Sequence, residues 1–154
     1  MDNFIFYLIA QEQLAFPPGG MSLQNRRDRL RSALREYGAQ WEIVRMRAAD
    51  FFKAAEELGR VVGVKSDLVD FTFDSSPLDV LPPGRFNEYN APFGYFDPER
   101  SKTYDSLLRA IKPQTLLELG AKDESEAIAT ALRAYSSVFA EAAIRGVAVA
   151  IDHS

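Results

Sequence analysis

The apolar positions of the chain form two short continuous runs, with several periodic stretches between them. The first run, residues 4–10 (FIFYLIA), is rich in aromatic and β-branched residues and precedes the break PPGG. It predicts a buried central strand. The second run, residues 147–151 (VAVAI), predicts a final strand. Its alternating alanines indicate that a helix packs closely on the small-residue face.

Two segments alternate between apolar and polar residues, as half-buried strands do. In residues 68–74 (LVDFTFD), the side chains of Val69, Phe71 and Phe73 share one face, so this is the clearest strand pattern in the chain. Residues 41–46 (WEIVRM) alternate less regularly and favour a strand over the start of a helix.

Two helices are predicted in the N-terminal half, each bounded by a polar N-cap and a C-terminal glycine. They are residues 23–37, between Ser22 and Gly38, and residues 51–58, between Asp50 and Gly59. A loop or short strand is expected at residues 60–64. The first helix carries five arginines, which indicate a solvated face, with a basic docking face as the alternative. These are Arg26, Arg27, Arg29, Arg31 and Arg35.

Three more helices are predicted after residue 96. Asp97, Pro98 and Glu99 are a strong helix start, because the aspartate caps the open amides, proline suits the first turn and glutamate complements the dipole. Pro113 opens a short helix that Gly120 closes. The apolar stripe of the first of these helices consists of Tyr104, Leu107, Leu108 and Ile111.

The last predicted helix covers residues 123–145 and has the most regular pattern. Asp123 and Glu126 have capping-box spacing, and Arg145 and Gly146 end the helix. Its apolar stripe consists of Ile128, Leu132, Tyr135, Phe139 and Ala142. Because the helices cluster instead of alternating with the strands, we predict an α+β fold: a single globular domain, residues 1–154, with a small sheet of three or four strands packed with helices on one or both faces.

The long irregular stretch at residues 75–96 interrupts this order. It contains four prolines and two glycines, yet it also contains five aromatic residues in its last eleven positions. Long irregular loops are usually functional or disordered, and disordered segments are poor in aromatic residues. We expect three of the aromatics to plug the core, namely Phe86, Tyr95 and Phe96, and two to be exposed, namely Tyr89 and Phe93. A loop that only plugs the core is the alternative.

The side-chain inventory excludes several chemistries. The 154 residues contain no cysteine and one histidine, His153, so disulfides, thiolate metal sites and a histidine metal cluster are excluded. A catalytic triad would need His153 to be ordered, whereas terminal residues are often frayed. We therefore expect no catalytic residues, no metal and no cofactor. The acidic balance, without a secretory signal or a membrane-length apolar run, predicts a cytoplasmic protein that binds neither nucleic acid nor membrane.

Residues 94–111 (GYFDPERSKTYDSLLRAI) and residues 131–151 (ALRAYSSVFAEAAIRGVAVAI) resemble the C-terminal part of the YfbM-like family of small bacterial proteins. In that family an aromatic segment followed by Pro-Glu opens a helix, and a late aromatic-bearing helix passes through a glycine into a short apolar strand. The matching residues are Tyr95, Phe96, Pro98, Glu99, Tyr135, Phe139, Gly146, Val147 and Val149. No matching pattern precedes Gly94. The family has no established activity, so the resemblance implies a type of fold and no reaction.

Carboxylates would have to carry any catalysis here, but their spacing is unfavourable. Asp70 and Asp74 lie on one face of a predicted strand about 13 Å apart, too far for the acid pair of a glycosidase. Residues 59–66 (GRVVGVKS) lack the glycine that precedes lysine in a phosphate-binding loop.

The remaining candidate is residues 66–99, which we call the acidic segment. It holds seven acids and one base, a net charge of −6, together with the five aromatics. Such a surface suits a basic protein partner, since aromatics supply contact area and carboxylates supply steering. The predicted partner-binding residues are Asp70, Asp74, Asp79, Glu88, Tyr89 and Phe93. The predicted function is a non-enzymatic, immunity- or antitoxin-like protein.

The alternative function is a small-molecule-binding protein or an enzyme that uses carboxylate, tyrosine and arginine side chains. Its pocket would lie under the loop of residues 75–96. The first candidates for that pocket are Arg85, Tyr89, Asp97 and Arg100.

Overall fold

The computed structural model describes residues 1–14, 23–63 and 93–154. Within them, four strands form one antiparallel sheet in the order β2-β1-β4-β3. The strands are β1 (Asp2–Ile9), β2 (Ala39–Met46), β3 (Phe93–Phe96) and β4 (Ala148–His153). The helices are α1 (Leu23–Tyr37), α2 (Ala48–Val62), α3 (Pro98–Arg109), α4 (Pro113–Gly120) and α5 (Ser125–Arg145), and a 3₁₀ turn covers Gln11–Leu14. The predicted α+β class is confirmed.

One face of the sheet carries the larger part of the core. Phe4, Phe6 and Val149 project from this face against α2, α3 and α5. Phe4 stacks on Phe51 of α2, with ring centroids 3.9 Å apart, and Phe6 meets Tyr135 of α5 edge to face at 5.3 Å. The predicted central position of the first strand is confirmed, because β1 pairs with β2 on one side and β4 on the other.

The opposite face of the sheet carries a second cluster, in which small residues of β4 lie beside larger side chains of β1 and β3. Ala148 and Ala150 of β4 pack there with Ala33 and Leu34 of α1, as the alternating alanines predict. Gly38 makes the link from α1 to β2 possible. A Cβ atom at this position would lie 2.5 Å from the carbonyl oxygen of Leu34 and 3.1 Å from the ring of Tyr7.

A bulge in β2 directs one aromatic residue towards α5. Phe6 pairs with Glu42 and Tyr7 with Gln40, so Trp41 is the extra residue on the bulged strand. Its indole N–H donates to the hydroxyl of Ser137 at 2.8 Å. This segment, which the sequence favoured only weakly as a strand, is a strand along its full length.

The boundaries of α2 differ from the prediction. The helix begins at Ala48, and the predicted cap, Asp50, lies in its first turn and pairs with Arg47. The open amide of Ala48 donates instead to the carboxylate of Asp2, at 3.1 Å. The predicted end at Gly59 is also wrong: Val61 and Val62 pack against the core and extend the helix.

Gly63, at φ 78°, forms the C-cap of α2. This left-handed conformation suits glycine. The predicted loop or strand at residues 60–64 is therefore helical as far as Val62.

The ends of the C-terminal helices match the sequence in part. Asp97 caps α3 as predicted, accepting from the amide of Arg100 at 2.7 Å. The predicted capping box of α5 is wrong, because Glu124 occupies the N-cap position and no side chain caps the helix there. The apolar stripe of α5 is confirmed, with Phe139 and Ala142 fully buried.

The predicted irregular stretch ends earlier than expected. Its last four residues form β3, which pairs with β4. Tyr95 and Phe96 lie on opposite faces of the sheet, and the burial of both side chains favours the strand. The predicted strand at residues 68–74 lies outside the described residues. No helix in the described part of the chain is long and apolar enough to cross a membrane.

Candidate functional site

Most of the predicted partner-binding residues lie outside the described residues. They are Asp70, Asp74, Asp79, Glu88 and Tyr89. Phe93 begins β3, where its backbone pairs with Asp152 of β4. The structure therefore gives the described residues on either side of positions 64–92: Gly63, which ends α2, and β3, which pairs with β4.

Two of the loop aromatics have the role that the sequence predicts. Tyr95 and Phe96 are each 1% exposed and lie on opposite faces of the sheet. The ring of Phe96 meets Phe139 and Tyr104 edge to face, at 5.1 and 5.5 Å. Burial raises the pKa of the Tyr95 hydroxyl, so this tyrosine stays protonated at physiological pH. Phe86 lies outside the described residues.

The residues proposed for a small-molecule pocket have structural partners. Asp97 caps α3, and the guanidinium of Arg100 lies 5.1 Å from the centre of the Phe96 ring. Arg100 also donates to the carbonyl of Tyr95 at 3.3 Å and to the hydroxyl of Tyr104 at 3.2 Å. These contacts hold β3 to α3. The other two candidates, Arg85 and Tyr89, lie outside the described residues.

A cavity of about 670 Å³ lies between α2 and the turn that precedes α5. We call it the α2 cavity. Among the described residues, Ile128 lies at its apolar side, and six charged side chains and Gly63 also line it. The charged residues are Lys53, Glu56, Glu57, Arg60, Lys122 and Glu124. Its volume falls within the range of about 300–1,000 Å³ that is usual for ligand pockets.

The charges around the α2 cavity fall into a paired group and a looser group. Glu57 pairs with both Arg60 and Lys122, and its carboxylate lies 3.0 Å from the ammonium of Lys122. These two cations, Arg60 foremost, lower the pKa of Glu57 to about 2. Lys53 and Glu124 are only 4.0 Å apart, at the limit of an ion pair. Sequence patterns did not indicate this cavity, because α2 and the turn before α5 are about sixty residues apart.

His153 is ordered, contrary to the expectation that this end of the chain is frayed. It belongs to β4, is 9% exposed, and its ring stacks on Phe4 at 4.5 Å. Its Nε2 lies 3.0 Å from a carboxylate oxygen of Asp2, and its Nδ1 has no partner among the described residues. The hydrogen bond from His153 and the amide of Ala48 lower the pKa of Asp2. Asp2 thus joins β1, β4 and the start of α2.

One arginine of the basic helix has a structural role. Arg31 of α1 forms an ion pair with Asp152 at 3.1 Å and donates to the carbonyl of His153 at 3.2 Å. The side chain of Arg35 is exposed, as a solvated face predicts. The side chains of Arg26, Arg27 and Arg29 lie outside the described part of the chain. No group of three or more potential metal ligands occurs among residues 1–14, 23–63 and 93–154.

Comparison with models of known protein families gave no match, and neither did comparison with curated proteins or with solved structures. The resemblance to the YfbM-like family therefore stays a prediction.

Proposed function

We propose that this chain is a non-enzymatic bacterial protein that acts in the cytoplasm and binds a basic protein partner through the acidic segment, in the manner of an immunity or antitoxin protein. The observation that carries the proposal is the distribution of charge. The chain has a net charge of −4, whereas residues 66–99 alone carry −6, so the rest of the chain carries a net +2. Negative charge is concentrated in one segment instead of being spread over the surface.

The described residues that flank positions 64–92 give a physical reason why the acidic segment can serve as a binding surface. At one end, Gly63 closes a helix whose buried side chains pack in the main core. At the other end, Tyr95 and Phe96 anchor β3 on both faces of the sheet. Binding residues on a loop work best when a rigid scaffold positions the loop.

The residue types of the segment fit a basic partner. Carboxylates such as Asp70, Asp74, Asp79 and Glu88 would attract it at long range and set its orientation. Tyr89 and Phe93 would supply contact area that becomes buried on binding. Aromatic residues contribute much of the binding free energy in many interfaces. The one histidine of the chain, His153, is packed on Phe4 and bonded to Asp2.

The test begins with affinity capture from a lysate of the source organism, comparing the wild-type chain with Tyr89→Ala and Phe93→Ala. A basic protein that is retained by the wild type is then purified, and its dissociation rate is measured by surface plasmon resonance. We expect either substitution to raise the dissociation rate by a factor equivalent to about 1–3 kcal/mol.

Tyr37→Ala is the matched control, because Tyr37 is a 52% exposed tyrosine on α1. It should leave the dissociation rate unchanged. Thermal melts of the variants separate binding from folding, since the proposal requires neither Tyr89→Ala nor Phe93→Ala to unfold the chain. Retention of the same proteins at the same dissociation rates by all variants would contradict the proposal.

A further inference from the structure

The α2 cavity lies in a different part of the chain from the acidic segment, and its charges form a pattern of their own. Glu57, Arg60 and Lys122 are committed to one another by two ion pairs on a single carboxylate. The three remaining charges are those of Lys53, Glu56 and Glu124. These three decide what the cavity can recognise.

The three remaining charges are loosely held. Lys53 reaches Glu124 only at 4.0 Å, and the two side chains are 69% and 45% exposed. Glu56 makes no hydrogen bond or ion pair with any described residue. The cavity thus offers two available carboxylates and one available ammonium group, with the buried side chain of Ile128 beside them.

A ligand that complements this pattern carries two cationic groups and one carboxylate. Among these three groups, a singly charged anion would find one cation beside two carboxylates, and an uncharged ligand would make no ion pair with any of them. A basic amino acid has the required set in one small molecule: an α-ammonium group, an α-carboxylate and a cationic side chain on an aliphatic stem. The stem can pack on Ile128, as apolar stems of charged side chains commonly do.

We propose that the α2 cavity binds a basic amino acid, with Glu56 and Glu124 holding the two cationic groups and Lys53 holding the carboxylate. The proposal is independent of the partner-binding function, because it uses none of residues 66–99. The cavity has room for more than one free amino acid, so the basic end of a short peptide belongs to the same chemical class.

The test uses free L-arginine as the probe and the methyl resonances of the isoleucines as reporters. The Ile128 methyl signal should shift and saturate as L-arginine is raised to about 20 mM, and the shift should weaken with added salt. L-leucine, which has the same backbone groups without the side-chain cation, should bind more weakly, and L-glutamate should bind least. The exposed Ile144 on the same helix should not respond.

Isosteric substitutions separate specific recognition from general charge attraction. Glu56→Gln and Glu124→Gln should each weaken L-arginine binding about two- to five-fold, because each removes one charged partner at an exposed position. Glu36→Gln, at an exposed position on α1, removes the same charge elsewhere and should have no effect. The absence of a saturable shift, equal shifts with L-arginine and L-glutamate, or unchanged affinity in both cavity variants would overturn the proposal. Partner capture by the wild-type chain should be the same in L-arginine as in sodium chloride of equal ionic strength.

Discussion

Removing the ring of Phe139 should destabilise the fold strongly. Phe139 is fully buried, and three aromatic rings surround it: Phe96 at 5.1 Å, Tyr104 at 5.5 Å and Tyr135 at 5.8 Å between centroids. A buried phenylalanine replaced by alanine costs about 3–5 kcal/mol, through lost transfer free energy and a cavity that collapses only partly. The three ring contacts place Phe139→Ala in the upper half of that range.

Urea denaturation is the appropriate assay, because the chain contains one tryptophan in a useful position. Trp41 lies on β2 and bonds to Ser137 of α5, so its fluorescence reports whether that helix is docked on the sheet. We expect the midpoint of unfolding to fall strongly while the slope stays unchanged. A loss of about 4 kcal/mol is a large share of the 5–15 kcal/mol that stabilises a typical domain.

A control on the same helix makes the test specific. Ile144→Ala removes an apolar side chain that is 76% exposed, and it should change the free energy of unfolding by less than about 0.5 kcal/mol. If Phe139→Ala lowers the free energy of unfolding by less than about 1 kcal/mol, or if the two variants lower it equally, this face of α5 does not pack in the core as described.

Three further predictions concern the backbone, the pH dependence and the metal content. Gly38→Ala should destabilise the chain by about 1–3 kcal/mol in urea denaturation, since its Cβ would meet the Leu34 carbonyl and the Tyr7 ring; Gly120→Ala, whose Cβ meets nothing, should be neutral or slightly stabilising. The pKa of Asp2 is lowered in the folded state, so its stabilising contribution should be complete above the ordinary pKa near 3.8. The difference in the free energy of unfolding between the wild type and Asp2→Asn should then disappear as the pH falls through the lowered pKa. A difference that grows on acidification would contradict this reasoning. Elemental analysis of protein purified without added metal should find no stoichiometric transition metal, and one tightly held zinc or iron per chain would overturn that prediction.

Three of the four described strands and the presence of the five helices could be predicted because their signals are local. A continuous apolar run predicted β1, and the unbroken stripe of α5 predicted its buried face. Asp97 and Pro98 marked the start of α3 to the residue. In β1 and α5 the apolar pattern agrees with burial, and at the start of α3 the pattern agrees with the observed cap, so the local sequence is sufficient there.

The wrong predictions of helix ends arose where contacts with residues distant in sequence determine the structure. Asp50 is a residue type that commonly caps helices. The amide at the start of α2, however, donates to the carboxylate of Asp2, which is distant in sequence and comes close only in the folded sheet. Gly59 resembles a helix end, but packing of Val61 and Val62 on the core extends α2 by one turn. Tertiary packing overrides local propensity at both positions.

For the candidate sites, the sequence predicts residue composition and no geometry. The charge of the acidic segment is visible in the sequence, whereas the α2 cavity needs α2 and the turn before α5 to be brought together. The ordered position of His153 likewise depends on the pairing of β4 with β1, because Phe4 and Asp2 provide its stacking and hydrogen-bond partners.

The central claim, that residues 66–99 attract a basic partner, is tested most directly by the rate of association with the captured partner at several salt concentrations. Asp70→Lys with Asp74→Lys should slow association and flatten its dependence on salt from about 20 to 200 mM, because charges at an interface act at long range and are screened. Glu36→Lys with Asp123→Lys makes the same change in total charge at exposed positions elsewhere. This control should retain most of the wild-type rate and salt dependence. If reversing the charges of Asp70 and Asp74 leaves the association rate and its salt dependence at wild-type values, the claim is contradicted.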